Sequence, residues 1–323
     1  MVRRLFGAAL LLWLVLTITF VLVRLAPGDA ASLLVPPDAP AAEAQRLRSE
    51  FGLDRPIAVQ YARWGQALLH GDLGESFALH QPVSRVLADA LPVSLSLGLA
   101  SLALTFLLGV PIGIAQAARR GRVLDRALTV LTTTVYAAPS FWLALAMVAL
   151  FTYGAASLGL GASWRLPAFG IHTPGTDLHG WSRVLDVIRH AILPVFILTA
   201  VGAAGVARYA RSSVADVLSQ DFVRTARAKG ASARTVYFRH VLRNVLPALT
   251  VLFALALPGV VAGSIFVEVV FAWPGVGRAM YSAITARDYP VVMGATVIYA
   301  SLVLFANLAA DVALPVLDPR RRA

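Results

Sequence analysis

The chain has 323 residues, 58% of them hydrophobic and only 14% charged, against about 25% charge in an ordinary soluble domain. That is too little polar side chain to cover a soluble surface, so the composition points to the membrane. Cysteine is absent, which excludes disulfides, thiol catalysis and Cys-ligated metals, and the net charge of +11 has to be located before it is read as a nucleic-acid signal.

In chain order, 5–23 is the first uncharged apolar run. About 20 such residues cross roughly 30 Å of hydrocarbon as a helix. Arg3 and Arg4 precede it, as in a secretory leader, but its apolar part exceeds the 7–15 residues of a leader, and Arg24 and Pro27 stand where a cleavage site would lie. We read it as a retained span. The connection that follows predicts a helix over 41–50 and a second over 57–69, started near Pro56 and ended by Gly71. Leu47, Phe51, Trp64, Leu68 and Leu69 give these helices apolar faces. Further runs at 90–118, 127–164, 190–207, 244–267 and 289–310 predict five more spans. The third leaves the bilayer near Tyr153.

The connection over 154–187 is rich in Gly and Pro and has no helical period, and the one over 269–288 contains FAWPGVGR. Pro111, Pro139, Pro194 and Pro258 are expected to bend their spans. Gly98, Ser101, Gly109 and Gly113, Gly202 and Gly205, and the Gly259–Gly263 pair allow close helix approach. Trp164, Trp181, Trp273, Tyr281 and Tyr289 fall near span ends, where interfacial anchors belong. The expectation is an all-α membrane protein with six transmembrane helices and both termini cytoplasmic. A small external helical insertion lies between spans one and two. The divisions are 1–25 for the tail and first span, 26–89 for the external subdomain, 90–312 for the membrane core, and 313–323 for the C-terminal tail.

Six spans place the 1–4, 119–126, 208–243 and 320–322 segments on one side, and these hold 17 of the 28 Lys and Arg, while the acids of that side are only Asp125, Asp216, Asp221 and, just before the last segment, Asp318. By the positive-inside rule this side is cytoplasmic. The net charge therefore describes topology, and no nucleic-acid partner is called for. No HExxH and no GxxxxGK[ST] occurs, so the chain lacks the usual phosphate loop for ATP. His172 and His179 are read as free loop histidines rather than metal ligands, and His190 as a packing group. Glu268 and Asp311 sit at span ends, and the scarcity of ionisable groups inside the spans argues against intrinsic ion coupling.

The 209–245 loop stands out. DFVRTARAKGASARTVYFRHVLRNVLP (221–247) divides into two short helices. Asp221 favours the start of the first, Gly230 ends it with a positive φ, and Ser232 caps the second. Phe222, Thr225, Ala226 and Lys229 share one side of the first helix, while Arg224 and Arg227 face outward. Val236, His240 and Val241 form the packing stripe of the second, and Pro247 marks entry to the fifth span. The loop reads as a solvated positive-inside segment, a helix on anionic lipid, or a rigid knob that fits a cytoplasmic subunit.

This segment resembles the cytoplasmic EAA loop in membrane subunits of binding-protein-dependent ATP-driven importers. Gly230 and Leu246–Pro247 match its Gly and its ending. Arg224–Thr225–Ala226 stands in place of EAA, and the Gly-to-Pro distance is longer than in the general form. LAPGDA (25–30), FGLDRP (51–56), GDLGESF (71–77), VEVVFAWPGVGR (267–278), RDYPVV (287–292) and LDPR (317–320) are similar to the OppB/DppB-type peptide permeases in order and spacing. The resemblance implies a bacterial inner-membrane subunit that imports dipeptides or oligopeptides. Its partners would be a homologous second permease, two cytoplasmic ATP-binding subunits, an extracytoplasmic solute-binding protein and membrane lipid. ATP and Mg would bind those partner ATPases and no cofactor or metal this chain, which is then not itself an enzyme. It further implies that Phe222, Thr225, Ala226, Arg227, Lys229, Gly230, Ala231 and Ser232 contact the ATPase. The 41–89 region and Trp273, Pro274, Gly275, Gly277 and Arg278 would face the receptor. Import of a nickel chelate, glutathione or another small solute remains open, as does an ion-driven carrier.

Overall fold

The computed structural model describes residues 2–26, 31, 40–159, 161, 165–262 and 265–317. Among them the regular elements are helices, and an isolated antiparallel bridge joins Glu75 to Pro82. The first helix, α1 (Val2–Leu25), is followed by α2 (Ala41–Glu50) and α3 (Ile57–Leu69). Both short helices begin behind a proline, Pro40 and Pro56, whose extended ψ near 140° leads into the first turn. A proline ring fixes φ and supplies no N–H to a segment whose first N–H groups are unbonded in any case. Gly71, at φ +79°, turns the chain just after α3 ends. These two helices lie where the sequence places them.

The next helix, α4 (Val83–Ala118), has 36 residues; α5 (Val123–Ala137) and α6 (Ser140–Val148) follow it, and α6 continues as a π-helical turn over Ala149–Gly154. The axes of α5 and α6 are bent by 101° across Ala138–Pro139. Pro139 can neither donate to the turn before it nor fit under its carbonyls. Pro111 and Pro194 lie inside unbroken helices.

Helix α7 (Gly180–Leu218) has 39 residues, far more than the apolar run at 190–207. At 1.5 Å per residue it is about 58 Å long, nearly twice the hydrocarbon thickness of about 30 Å. Hydropathy marks where a helix meets water; it does not mark where a helix stops.

Helix α8 (Asp221–Ala228) leads by a tight turn into α9. Helix α9 is built of Ala233–Thr235, a π-helical Val236–Val241 and Leu242–Ala262. The second helix of the insert and the fifth apolar run are thus one continuous helix, and Pro247 lies inside it with no break. Helices α10 (Ile265–Val270), α11 (Val276–Thr285) and α12 (Tyr289–Leu317) complete the chain. Helix α11 falls in a connection that the sequence reads as a loop. Among the described residues five helices are long and apolar enough to cross a membrane, and the bent α5–α6 pair passes the same test when its two halves are taken together.

The chain forms two compact units. The first comprises Met1–Ser94 and Pro274–Leu304, the second Leu95–Trp273 and Phe305–Ala323. In the first unit, Trp13 and Phe20 of α1 interlock with Tyr61 and Trp64 of α3 at ring separations of 5.3–6.3 Å, and Tyr61 shares a 2.7 Å hydrogen bond with Thr17. Val83, Leu87 and Ala90 pack with Val276, Ala283, Val291, Val292 and Ala295. Ser94 accepts the Val276 N–H at 2.9 Å.

In the second unit, small residues set the helix directions. A Cβ added at Gly202 would lie 2.6 Å from Thr105, at Gly109 2.8 Å from Val206, and at Gly113 2.5 Å from the carbonyl of Ala207. Positions rise together on α4 and α7, so these helices run parallel. Gly98 abuts Val260 and Phe106 meets Phe253, so α9 runs antiparallel to α4. Gly205 and Arg208 meet Tyr136, while Ala144 and Val148 share a core with Leu193 and Ile197. The bent α5–α6 pair therefore runs antiparallel along α7. An added Cβ at Gly259 would meet nothing within 4 Å; its expected mate Gly263 lies outside the described residues, as does Trp164.

Candidate coupling site

The insert is organised by one side chain. Val223 of α8 is fully buried, and it shares a core with Ala210, Val214 and Val217 of α7, with Val236, Val241, Val245 and Leu249 of α9, and with Ala117 at the end of α4. Burying a valine stabilises by about 1.5–3 kcal/mol, enough to dock a helix of eight residues that would not form alone in water. The bulkier neighbour Phe222 is 38% exposed. The anchor is thus Val223, which the sequence reading passed over. Its signal was the i, i+3 spacing of Val223 and the half-buried Ala226.

With Val223 inward, α8 presents Phe222, Thr225, Arg227 and Lys229 outward, and the exposed face continues through Gly230 and Ser232. Gly230 has φ +78°, a conformation that side-chain-bearing residues rarely adopt. Its N–H donates to Arg227 O at 2.9 Å, and Ala231 N–H donates to Ala226 O at 3.1 Å. The orphan carbonyls of α8 are closed off in this way. Ser232 Oγ then accepts the Thr235 N–H at 3.2 Å, the cap expected of it. Ala226 and Ala231 are half-buried beneath the tip. His240 is half-buried, while Val236 and Val241 are buried as expected.

Not every basic residue of the loop belongs to this face. Arg211 makes a bidentate pair with Asp125, Nε to Oδ1 at 2.9 Å and Nη2 to Oδ2 at 3.0 Å. Asp125 is 3% exposed and also accepts the Gly121 N–H at 2.9 Å and the Thr129 hydroxyl at 3.3 Å. Charge counting treats both residues as loop charges and cannot see that they bind each other.

The FAWPGVGR segment is largely packed away. Trp273, Gly275 and Gly277 are buried, and Pro274 and Arg278 are exposed. Trp273 is therefore no interfacial anchor, and Tyr289 is likewise buried, whereas Trp181 and Tyr281 stand exposed. In the first unit a cavity of about 570 Å³ is lined by Arg24, Glu50, Arg55, Arg63, Glu75 and His80, among others. His172 and His190 approach Asp186 at 3.6 and 3.5 Å, but no cluster among the described residues has the makings of a metal site.

Residues 109–323 match the family described as the binding-protein-dependent transport system inner membrane component, and residues 1–98 match its N-terminal companion. The chain belongs to this family. It is 37% identical over 94% of its length to the oligopeptide transport system permease protein AppB of Bacillus subtilis, covering 92% of that protein. It is 36% identical over 98% of its length to the probable D,D-dipeptide transport system permease protein DdpB of Escherichia coli, covering 96% of it. A putative peptide permease protein of Brucella suis is 38% identical, over 98% of this chain and 97% of that one. Among solved structures, the inward-facing MetNI methionine ABC transporter shares the fold: TM-score 0.53 at 18% identity, over 72% of this chain and 96% of that one. The chain is thus an OppB/DppB-type permease subunit of an importer, a multi-pass component of the bacterial inner membrane.

Proposed function

We propose that the chain forms half of the translocation pathway for short peptides and takes its driving force through the 222–232 tip. The carrying observation is the construction of that tip: an exposed face on a short helix, closed by Gly230 and pinned by Val223 to the cores of three long helices. An element fixed in this way transmits a push, where a solvated loop would absorb it. Two ATP-binding subunits would receive Phe222, Thr225, Arg227, Lys229 and Gly230 in a cleft. ATP and Mg would act there, and this chain would bind neither.

A homologous permease would supply the other half of the pathway. A solute-binding protein would deliver the peptide to the outer face, where the cavity beside Arg24, the 41–89 region, Pro274 and Arg278 are available to it. The peptide reading is supported by the relatives, named as oligopeptide, D,D-dipeptide and peptide permeases.

We count six crossings. Helices α4 and α7 run parallel, so the chain between them must return across the membrane, and the bent α5–α6 pair lies antiparallel along α7. With six crossings both termini share the side of the basic insert, which the positive-inside rule makes cytoplasmic.

The test is Gly230→Pro in the reconstituted complex. Proline cannot adopt a positive φ, so the tip must rearrange. Substrate-stimulated ATP hydrolysis and peptide uptake should both fall. Wild-type values for both would remove the coupling role, and full uptake without nucleotide would favour an ion-driven carrier.

A further inference from the structure

We infer that Asp125 and Arg211 are positioning residues that make the turn between α4 and α5 travel with the coupling insert as one body. The inference rests on the coupling role proposed above. It adds a further route by which displacement of the tip reaches the membrane, through α5 and the bent pair as well as through the three helices packed on Val223.

Three observations converge on Arg211. First, its guanidinium grips Asp125 with two parallel bonds, a geometry that fixes orientation as well as distance. The carboxylate is held from the other side by Gly121 N–H and the Thr129 hydroxyl, and Thr129 accepts from Gln116 Nε2 at 3.2 Å. The end of α4, the turn and the first turns of α5 are thereby tied to one carboxylate.

Second, Arg211 is flanked along α7 by Ala210 and Val214, both fully buried in the core that holds Val223. The pair thus stands beside the anchor of the insert. Third, a Cβ at Gly113 would fall 2.6 Å from Ala210 Cβ and 2.9 Å from Arg211 N, so α4 and α7 are in backbone contact at this level and have no room to slide. Exposed ion pairs contribute little, but a pair with its carboxylate buried cannot lose one partner without stranding a charge. The bond therefore holds while the insert is being pushed.

The chain contains no cysteine, so two introduced thiols are unique on this subunit. Spin labels at Arg120→Cys and Arg234→Cys, both exposed positions, report the separation of the turn and the foot of α9 in the assembled importer. The expected result is one distance, the same within about 3 Å with and without trapped ATP; packed helices that keep their register shift by about 1–2 Å, and a change of register by about 5 Å. Arg211→Ala should broaden that distance and lower peptide transported per ATP hydrolysed by about tenfold, within the usual range of coupling effects. Arg211→Lys, which keeps the charge but not the two parallel bonds, should retain only part of that ratio. A purely structural residue would lower transport and hydrolysis together and leave their ratio unchanged.

A wild-type distance that changes by more than about 3 Å on ATP binding, or an Arg211→Ala ratio equal to wild type, overturns the inference. If Arg211→Ala does not assemble, the wild-type distance decides by itself. Failure of the coupling role has a separate signature: Gly230→Pro would then transport normally, whatever the labels report.

Discussion

Ser76 donates its hydroxyl to the carboxylate of Asp288 across 212 positions of chain. The same carboxylate accepts the N–H groups of Phe77 at 3.1 Å and Ala78 at 3.3 Å, and Ser76 Oγ accepts from Leu79 N–H at 2.9 Å. GDLGESF and RDYPVV, two motifs far apart in sequence, are halves of one buried hydrogen-bonded knot that closes the first unit.

Asp288→Ala should therefore be costly. It strands the Ser76 hydroxyl where water does not reach, since Asp288 and Ser76 are each 1% exposed, and takes the acceptor from two backbone donors. A loss of about 3 kcal/mol is expected, with Ser76→Ala nearer 1 kcal/mol. Thermal unfolding of the detergent-purified complex measures both. An Asp288→Ala protein that melts with wild type would show the carboxylate to be idle.

The helix contacts make a graded prediction. Gly98→Ala drives a Cβ to 2.3 Å from the Val260 carbonyl, and Gly113→Ala to 2.5 Å from that of Ala207. Neither obstacle is the end of a flexible side chain. Each substitution should destabilise by about 1–3 kcal/mol through overpacking. At Gly205 the added Cβ would stand 3.4 Å from the edge of Tyr136, a ring that can turn, so Gly205→Ala should be close to neutral. Equal melting temperatures for all three would contradict the close approach of these helices.

Val223 separates anchoring from contact. Val223→Ala removes buried methyl groups at a cost of about 2 kcal/mol and should loosen α8 without altering its exposed face. Limited proteolysis within 221–232 should accelerate, and transport should drop more than ATPase binding. Arg227→Ala, on the exposed side, should do the reverse, leaving the protease pattern as it is and weakening co-purification of the ATPase. Identical behaviour of the two variants would mean that α8 has no distinct inner and outer faces.

The sequence makes some of this visible and hides the rest for definite reasons. Helices α2 and α3 were legible because Pro40, Pro56 and Gly71 act locally, through backbone geometry. The spans were legible because hydrocarbon imposes one length and one composition. Gly230 and Ser232 were legible for the same local reason as the prolines. The lengths of α4 and α7 were not, since polar residues such as Arg183 and Asp186 leave the bilayer without leaving the helix.

Val223 was hidden because choosing between adjacent apolar residues depends on where the neighbouring helices stand. The Asp125–Arg211 pair spans 86 positions, and no local pattern links its members. The close packing within FAWPGVGR was hidden as well. Small residues suit an open loop, but they equally suit a segment that must pack closely, as Gly275 and Gly277 do.

The continuity of α9 has a mechanical consequence. From Ala233 to Leu257 the helix is unbroken for 25 residues, about 37 Å at 1.5 Å per residue. It is a lever without an elbow. A tilt of about 5° at its foot sweeps the far end through about 3 Å, given that length, comparable to the width of a water molecule. Where a hinge at Pro247 would have dissipated such a tilt part-way along, a continuous shaft carries it to its far end.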